Sequence, residues 1–336
     1  MNNTIDWRLL KKLYAIHSPS GKEDKMIKFL ISYLKSLPGV KLGKDNYGNL
    51  YAWKGESETF PCIVAHLDQV QRNHPRDFRA IETRDIIFGY SAKEHSICGL
   101  GADDKNGIII CLEALKKYDC MKVVFFKEEE TGCRGSSSAE MGFFEDCRFV
   151  IQCDRRGNSD LITNIGCSDL CSEKFIQDID PEKWGYREET GMMTDVEALK
   201  ERGLSVSAIN MSCGYYNPHT DEEITVKRDL EKCWHLVQHI IEDCTETYPH
   251  EVGDNACFGY DEWEIEDEIH SIIQQDPTMT ASDLYYMYQT NYPMLRLEDF
   301  ERIVAEHQLW YDDEEETLTQ TFKPDGKETD KEDFIF

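Results

Sequence analysis

Five short clusters of histidine and acidic residues, spread over about half of the chain, hold the side chains best suited to chemistry. His66 and Asp68 end the apolar run Cys62-Ile-Val-Ala-His-Leu-Asp-Gln-Val70. Asp103 stands in Gly101-Ala-Asp-Asp-Lys105, Glu129 and Glu130 in Lys127-Glu-Glu-Glu-Thr-Gly132, Asp154 in Gln152-Cys-Asp154, and His219 in Asn217-Pro-His-Thr220. Amide hydrolysis needs an activated water, a sink for the charge of the tetrahedral oxyanion, and a proton carrier to the leaving amine. Two metal ions about 3.5 to 4 Å apart supply the first two when one carboxylate bridges them and nitrogen and oxygen complete the shell. The minimum set is two histidines, three ligating carboxylates and one free carboxylate, and these clusters contain it.

Each cluster alone has a plainer reading. His66 and His219 singly read as surface or hydrogen-bonded histidines. The three glutamates 128 to 130 read as a solvated turn, and Asp103-Asp104 as an N-cap with charge favourable to the helix dipole. Asp154 has Arg155 and Arg156 beside it as partners. Their joint occurrence outweighs these separate readings.

The elements that must position them alternate in type. Residues 6 to 36 carry apolar positions at helical spacing, broken at Ser18-Pro-Ser-Gly21 and stopped at Pro38-Gly39. Strand-like runs follow at Leu50 to Trp53, Cys62 to Ala65, Lys122 to Phe126, Phe149 to Gln152 and Leu204 to Ile209. Helical patterns lie at Lys105 to Lys117, Thr194 to Glu201 and Arg228 to Asp243. Such alternation predicts an α/β fold, a three-layer αβα sandwich with a mixed, mainly parallel central sheet. Ligands bind at the carboxyl ends of such strands, which is where His66, Glu129, Glu130 and Asp154 fall.

The chain has 336 residues and a net charge of −28, which argues against nucleic acid or an anionic membrane as partner. Residues 251 to 336 hold 24 acidic and 5 basic side chains, so −19 of the −28 sits there. The expected domains are a catalytic body over 1–250, a small acidic helical appendage over 255–310, built from helices near 262–274, 280–288 and 297–307, and a disordered acidic tail over 311–336. The appendage is a candidate site for a protein partner or for self-association. The N-terminus lacks a signal-type run, and no apolar stretch approaches the roughly 20 residues of a membrane span, so a cytoplasmic protein is expected. Thirteen cysteines, odd in number and set in apolar segments such as those of Cys62, Cys111, Cys153, Cys213 and Cys233, read as reduced core thiols. Cys167 and Cys171 approach a metal-binding spacing, but no second pair accompanies them.

The five clusters, in this order, resemble the co-catalytic zinc exopeptidases, a family that includes leucyl-type aminopeptidases, peptidase T and carboxypeptidase G. The resemblance spans residues 6 to 245. It implies two divalent ions, zinc above all with cobalt or manganese as alternatives. It further implies His66 and Asp154 on the first ion, Glu130 and His219 on the second, Asp103 bridging them through a residue followed by a cis peptide, Asp68 orienting His66, and Glu129 free as the general base.

Spacing narrows the branch. The interval from Asp154 to His219 is 65 residues, too short for the lid and dimerisation domain that peptidase T and carboxypeptidase G relatives carry there. That lid helps bind the substrate carboxylate, so an aminopeptidase acting on short peptides is the expectation. A lidless dipeptidase, carboxypeptidase or N-acyl amino acid hydrolase is the alternative, and a catalytically silent binding protein the alternative of another class, which the retained Glu129 disfavours. Asp195 reads as a helix cap rather than a contact to a substrate amine, Tyr215 and Tyr216 as packing rather than oxyanion donors, and Gly99-Leu-Gly101 as a turn toward the metals rather than a phosphate loop. His17, His74, His95, His235, His239, His250, His270 and His307 have no partner cluster and read as structural or surface residues.

Overall fold

The computed structural model describes residues 4–71, 74–166, 168–252 and 279–288, together with positions 269, 272, 273, 297, 300, 301 and 303–305. Helices α1 (Trp7–Tyr14) and α2 (Asp24–Leu34) precede strands β1 (Val40–Lys44), β2 (Leu50–Lys54) and β3 (Phe60–His66). Next come β4 (Phe78–Glu82), β5 (Ile86–Ser91), β6 (Ser96–Cys98), α3 (Ala102–Lys117), β7 (Met121–Phe126), the short α4 (Arg134–Ser137) and β8 (Cys147–Arg155). Then follow β9 (Asp160–Ile165), β10 (Ser168–Asp169), α5 (Glu173–Ile179), β11 (Arg187–Gly191), α6 (Asp195–Glu201), β12 (Ala208–Ser212), β13 (Tyr215–Tyr216), β14 (Ile224–Val226) and α7 (Lys227–Asp243). The chain divides into two compact units, Met1–Tyr260 and Asp261–Phe336; in the second, α8 (Ala281–Tyr288) buries Leu284 and Tyr288, and the Tyr288 ring meets Phe300 at 5.9 Å.

The principal sheet of the first unit runs β1-β2-β7-β3-β8-β12-β9-β10, with β11 on β9. Its centre, β7-β3-β8-β12, is parallel, and antiparallel pairs flank it. Alternation along each central strand sends side chains to opposite faces. Ile63, Ala65, Val123, Phe125, Phe149 and Ile151 join the apolar stripes of α1, α2, α3, α5 and α7 in one core. Cys62, Val64, Val124, Phe126 and Val150 meet Val196 and Leu199 of α6 and Phe144 in the other. Helices cover both faces because the central strands carry apolar side chains on both sides. This is the expected three-layer αβα architecture with its mixed, mainly parallel sheet.

The site lies where β3, β7 and β8 end. Register opposes Val64 to Gln152 and His66 to Phe126, so two residues beyond Gln152, Asp154 draws level with His66 on the neighbouring strand. Both side chains point to the face that Cys62 and Val64 occupy, since all share one parity along their strands.

Several elements depart from the expectation. The run Leu204 to Ile209 pairs as a strand only from Ala208 onward: Gly203, at φ +89°, turns the chain out of α6, and Val206 makes an isolated bridge to Pro249. A second sheet, β13-β14-β5-β4 with β6 on β5, was not anticipated; its strands are short and half-exposed, which leaves little apolar signal. Between Asp154 and His219, strands β9 to β12 all belong to the principal sheet, so the described residues of this interval form no separate lid. The segments 262–274 and 297–307, apart from the positions named above, the tail 311–336 and Cys167 lie outside the described residues. The described cysteines are free thiols, buried except for Cys120, and no described helix is long and apolar enough to cross a membrane.

Candidate metal centre

His66 is the last residue of β3, and its Nε2 lies 2.9 Å from Asp103 Oδ1, 3.6 Å from Asp154 Oδ1 and 3.8 Å from Glu129 Oε2. On the other side of Asp103, Oδ2 is 3.3 Å from His219 Nε2, which in turn is 3.1 Å from Glu130 Oε2. Asp103 therefore faces one histidine with each oxygen. Two trios, His66 with Glu129 and Asp154, and His66 with Asp103 and Glu130, bring ligand atoms within 4.8 Å of one another. His219 adds a further ligand atom on the Glu130 side. His66 is buried, whereas the His219 side chain is 44% exposed and marks the open side of the site.

Local backbone chemistry sets these positions. The Asp103–Asp104 peptide is cis, and both residues keep non-helical angles although α3 begins around them. Asp104 then serves as the cap of the regular helix: its Oδ1 accepts the Gly107 N–H at 2.8 Å, and its Oδ2 accepts the His66 N–H at 3.1 Å. Glycine is required at 107, because a Cβ there would stand 2.3 Å from Asp104 Oδ1. In the turn after β7, Glu128 takes φ +54°, and the Glu129 and Glu130 N–H groups donate to Asp68 Oδ1 and Oδ2 at 3.0 and 3.2 Å. Ser20 Oγ also donates to Asp68, at 2.7 Å. Asp68 Oδ1 lies 3.4 Å from His66 Nδ1, an ion contact too long for a good hydrogen bond, so Nδ1 is buried without a hydrogen-bond partner. Asp68 thus faces His66 Nδ1 without hydrogen-bonding it, and fastens the turn that carries both glutamates.

Four carboxylates and two imidazoles share this space, and the titration shifts express its shortage of positive charge. Burial opposes charge on His66, yet Asp154, Glu129 and Asp103 outweigh it and raise its pKa well above the usual imidazole value. Glu130, then Asp103, do the same for His219. Burial pushes Glu129, Asp154 and Glu130 upward, reinforced for Asp154 by the Asp103 charge. Of these four carboxylates Asp103 moves down, because the two imidazoles it lies between overcome its burial. A buried set of carboxylates that gathers protons in this way is one that divalent cations would neutralise. Glu130 Oε1, buried and without a hydrogen-bond partner, is a further ligand atom left open. The residues present therefore fit a pair of hard or borderline divalent ions.

The structure brings together all seven residues singled out in the sequence. Asp154 points to His66 rather than to its basic neighbours, and Arg155 approaches Asp160 at 3.6 Å instead. The expected cap role of Asp195 is not borne out: Thr194 holds the N-cap position, and the buried Asp195 carboxylate accepts Gln152 Nε2–H at 3.1 Å through Oδ2, while Oδ1 has no partner. The Gln152 amide also donates to Asp154 Oδ2 at 3.1 Å, and its Oε1 accepts the Thr194 hydroxyl at 2.6 Å. A glutamine within the apolar run Phe149-Val-Ile-Gln-Cys153 was the available signal for this link, since a buried amide demands partners. Asp104 was read only as part of an N-cap, and Glu223 was not singled out. Tyr215 is buried and donates to Asp154 Oδ1 at 3.4 Å, while Tyr216 donates to Asp229 at 2.7 Å. Among the unassigned histidines, His17 stacks on His74 at 5.1 Å and its Nε2 lies 2.7 Å from Gln71 O, while His239 pairs with Asp243 at 2.5 Å.

No family model matches the sequence, and no curated protein sequence matches it. Solved structures do match its fold. Aminopeptidase PepT from Bacillus cereus aligns with a TM-score of 0.58 at 15% identity, over 73% of this chain and 100% of that one. A tripeptidase from Staphylococcus aureus aligns at 0.59 and 14% identity, over 72% and 98%. An aminopeptidase from the archaeon Desulfurococcus kamchatkensis aligns at 0.54 and 18% identity, over 70% and 94%. At these identities the likeness is one of fold.

Proposed function

We propose that this chain, which has the fold of those peptidases, is a two-metal exopeptidase that removes N-terminal residues from short peptides. The observation that carries the reading is Asp103, with one oxygen toward His66 and the other toward His219. In this reading His66, Asp103 and Asp154 hold one divalent ion, and His219, Asp103 and Glu130 hold the other. Two such ions acidify a water and stabilise negative charge on the scissile carbonyl oxygen.

The protein's own residues supply the rest. Glu129 is the carboxylate left over from the two ligand sets, buried beside His66 with Oε2 3.8 Å from its Nε2. It takes a proton from the attacking water as the C–O bond forms, and returns it to the amine nitrogen as the C–N bond breaks, so it ends each cycle unprotonated. Asp68 keeps the turn of Glu129 and Glu130 in place through their N–H groups and faces His66 Nδ1, and Gln152 braces Asp154.

Polarity as an aminopeptidase is supported by the names of the structures that share the fold rather than by the compact interval between Asp154 and His219, since the peptidase T relatives, which carry a lid there, include an aminopeptidase. Of the three solved structures described above, two are named aminopeptidases and one a tripeptidase, which agrees with short peptides as the substrate class. Free, N-acetylated and C-amidated forms of one short peptide test this. Turnover is expected to survive amidation and to vanish on acetylation; loss on amidation instead would reverse the polarity, and cleavage of the acetyl group itself would make the enzyme an N-acyl amino acid hydrolase.

A further inference from the structure

We infer that Glu223 is a positioning residue that fixes the Asp103 carboxylate between the two histidines by binding the backbone on which it stands. The inference rests on the two-metal reading above. The Glu223 side chain is fully buried, and its two oxygens serve three donors. Oε1 accepts the Asp103 N–H at 3.1 Å; Oε2 accepts the Gly101 N–H at 2.5 Å and Gln71 Nε2–H at 3.2 Å.

Its place in the chain is what joins the two sides of the site. Glu223 comes four residues after His219, and its N–H closes the intervening turn on Thr220 O at 3.4 Å. Asp221, from the same turn, accepts the Gly99 N–H at 3.0 Å through Oδ1. The loop that carries His219 is therefore fastened to the 99–103 segment at two points. From Gln71 the chain of hydrogen bonds continues to Gln69, whose Nε2 donates to Gln71 Oε1 at 3.0 Å and whose Oε1 accepts Lys105 Nζ. The segment that follows His66, the segment that carries Asp103 and the loop that carries His219 thus meet at one carboxylate. The Gly101 backbone, at φ +65°, passes so close that a Cβ there would lie 2.6 Å from Lys105 Nζ.

A carboxylate is the side chain this junction calls for. Backbone N–H groups face both oxygens, and a carboxylate alone among side chains of this shape accepts on both and donates on neither. An amide would present an NH₂ group to one of them in either orientation. The consequence falls on Asp103, whose oxygens reach His66 and His219 at 2.9 and 3.3 Å and cannot keep both contacts if its backbone turns.

Calorimetric titration of the metal-stripped full-length chain with cobalt or zinc tests this without reference to turnover. For Glu223→Gln, ion binding is expected to weaken, by about 10–100-fold for the ion shared by His219, whose loop also loses its tie to Asp103, and by less for the ion shared by His66. Binding of both ions as in the unaltered chain overturns the inference. So does an equal weakening of both steps alongside a lower melting temperature of the metal-free variant, since that is what a merely structural role gives. Should Glu223→Gln fail to fold, Gln71→Met removes one donor to Oε2 without touching Asp103. It is expected to weaken the same step by roughly fivefold, and an unchanged step overturns the inference. An unaltered chain that takes up no ions overturns the two-metal reading itself, and this inference with it.

Discussion

Replacing Glu129 by Gln should leave both metal ions bound and lower kcat by about 10²- to 10⁴-fold, the range that a positioned proton carrier contributes. The substitution is nearly isosteric. The N–H of residue 129 still donates to Asp68, so the turn that presents Glu130 should keep its shape. What is lost is the ability to take a proton from water and hand it to the leaving amine. KM should change little, because the group acts on the water rather than on the ground-state peptide. Metal content and steady-state kinetics on the same preparation check both halves. Full activity with both ions present would move the proton carrier elsewhere, and loss of an ion would make Glu129 a ligand.

Asp103→Ala should have the other large effect, the loss of both ions together. Each of its oxygens faces a different histidine, so one truncation removes a donor from both ligand sets. Loss of a supporting partner costs about 10–100-fold in metal affinity, and loss of a shared ligand should exceed that. The checking measurement is thermal unfolding with and without added zinc. The unaltered chain should gain stability with metal, by about 2.7 kcal/mol at a hundredfold excess over Kd, whereas the variant should gain little at the same concentration. A variant that still takes up two ions and gains the same stability would remove Asp103 from the bridging position.

Much of this was legible in the sequence because strand ends announce themselves. The apolar runs before His66, Glu129 and Asp154 had to be buried strands, and parallel strands present their carboxyl ends at one edge. Parity along β3 and β8 then aims His66 and Asp154 the same way. The second sheet was not legible, since β4 and β5 alternate half-buried positions over only 5 and 6 residues. The supporting residues were harder still. Asp104 was readable as a cap, but not as the acceptor of the His66 N–H, because that bond joins residues 38 apart. Glu223 looked like any acid in a polar turn until its burial and its three donors were known. Asp195 misled for the opposite reason: its place at the start of a helical pattern suggested a cap, while its carboxylate turns inward to Gln152. Local spacing reveals which residues can ligate; which residues brace them depends on contacts between distant segments.

Metal analysis of the purified full-length chain, after stripping and reloading with zinc or cobalt, tests the two-metal centre most directly. Close to two divalent ions per chain is the expected result. No ion retained under either metal would contradict the centre built around Asp103.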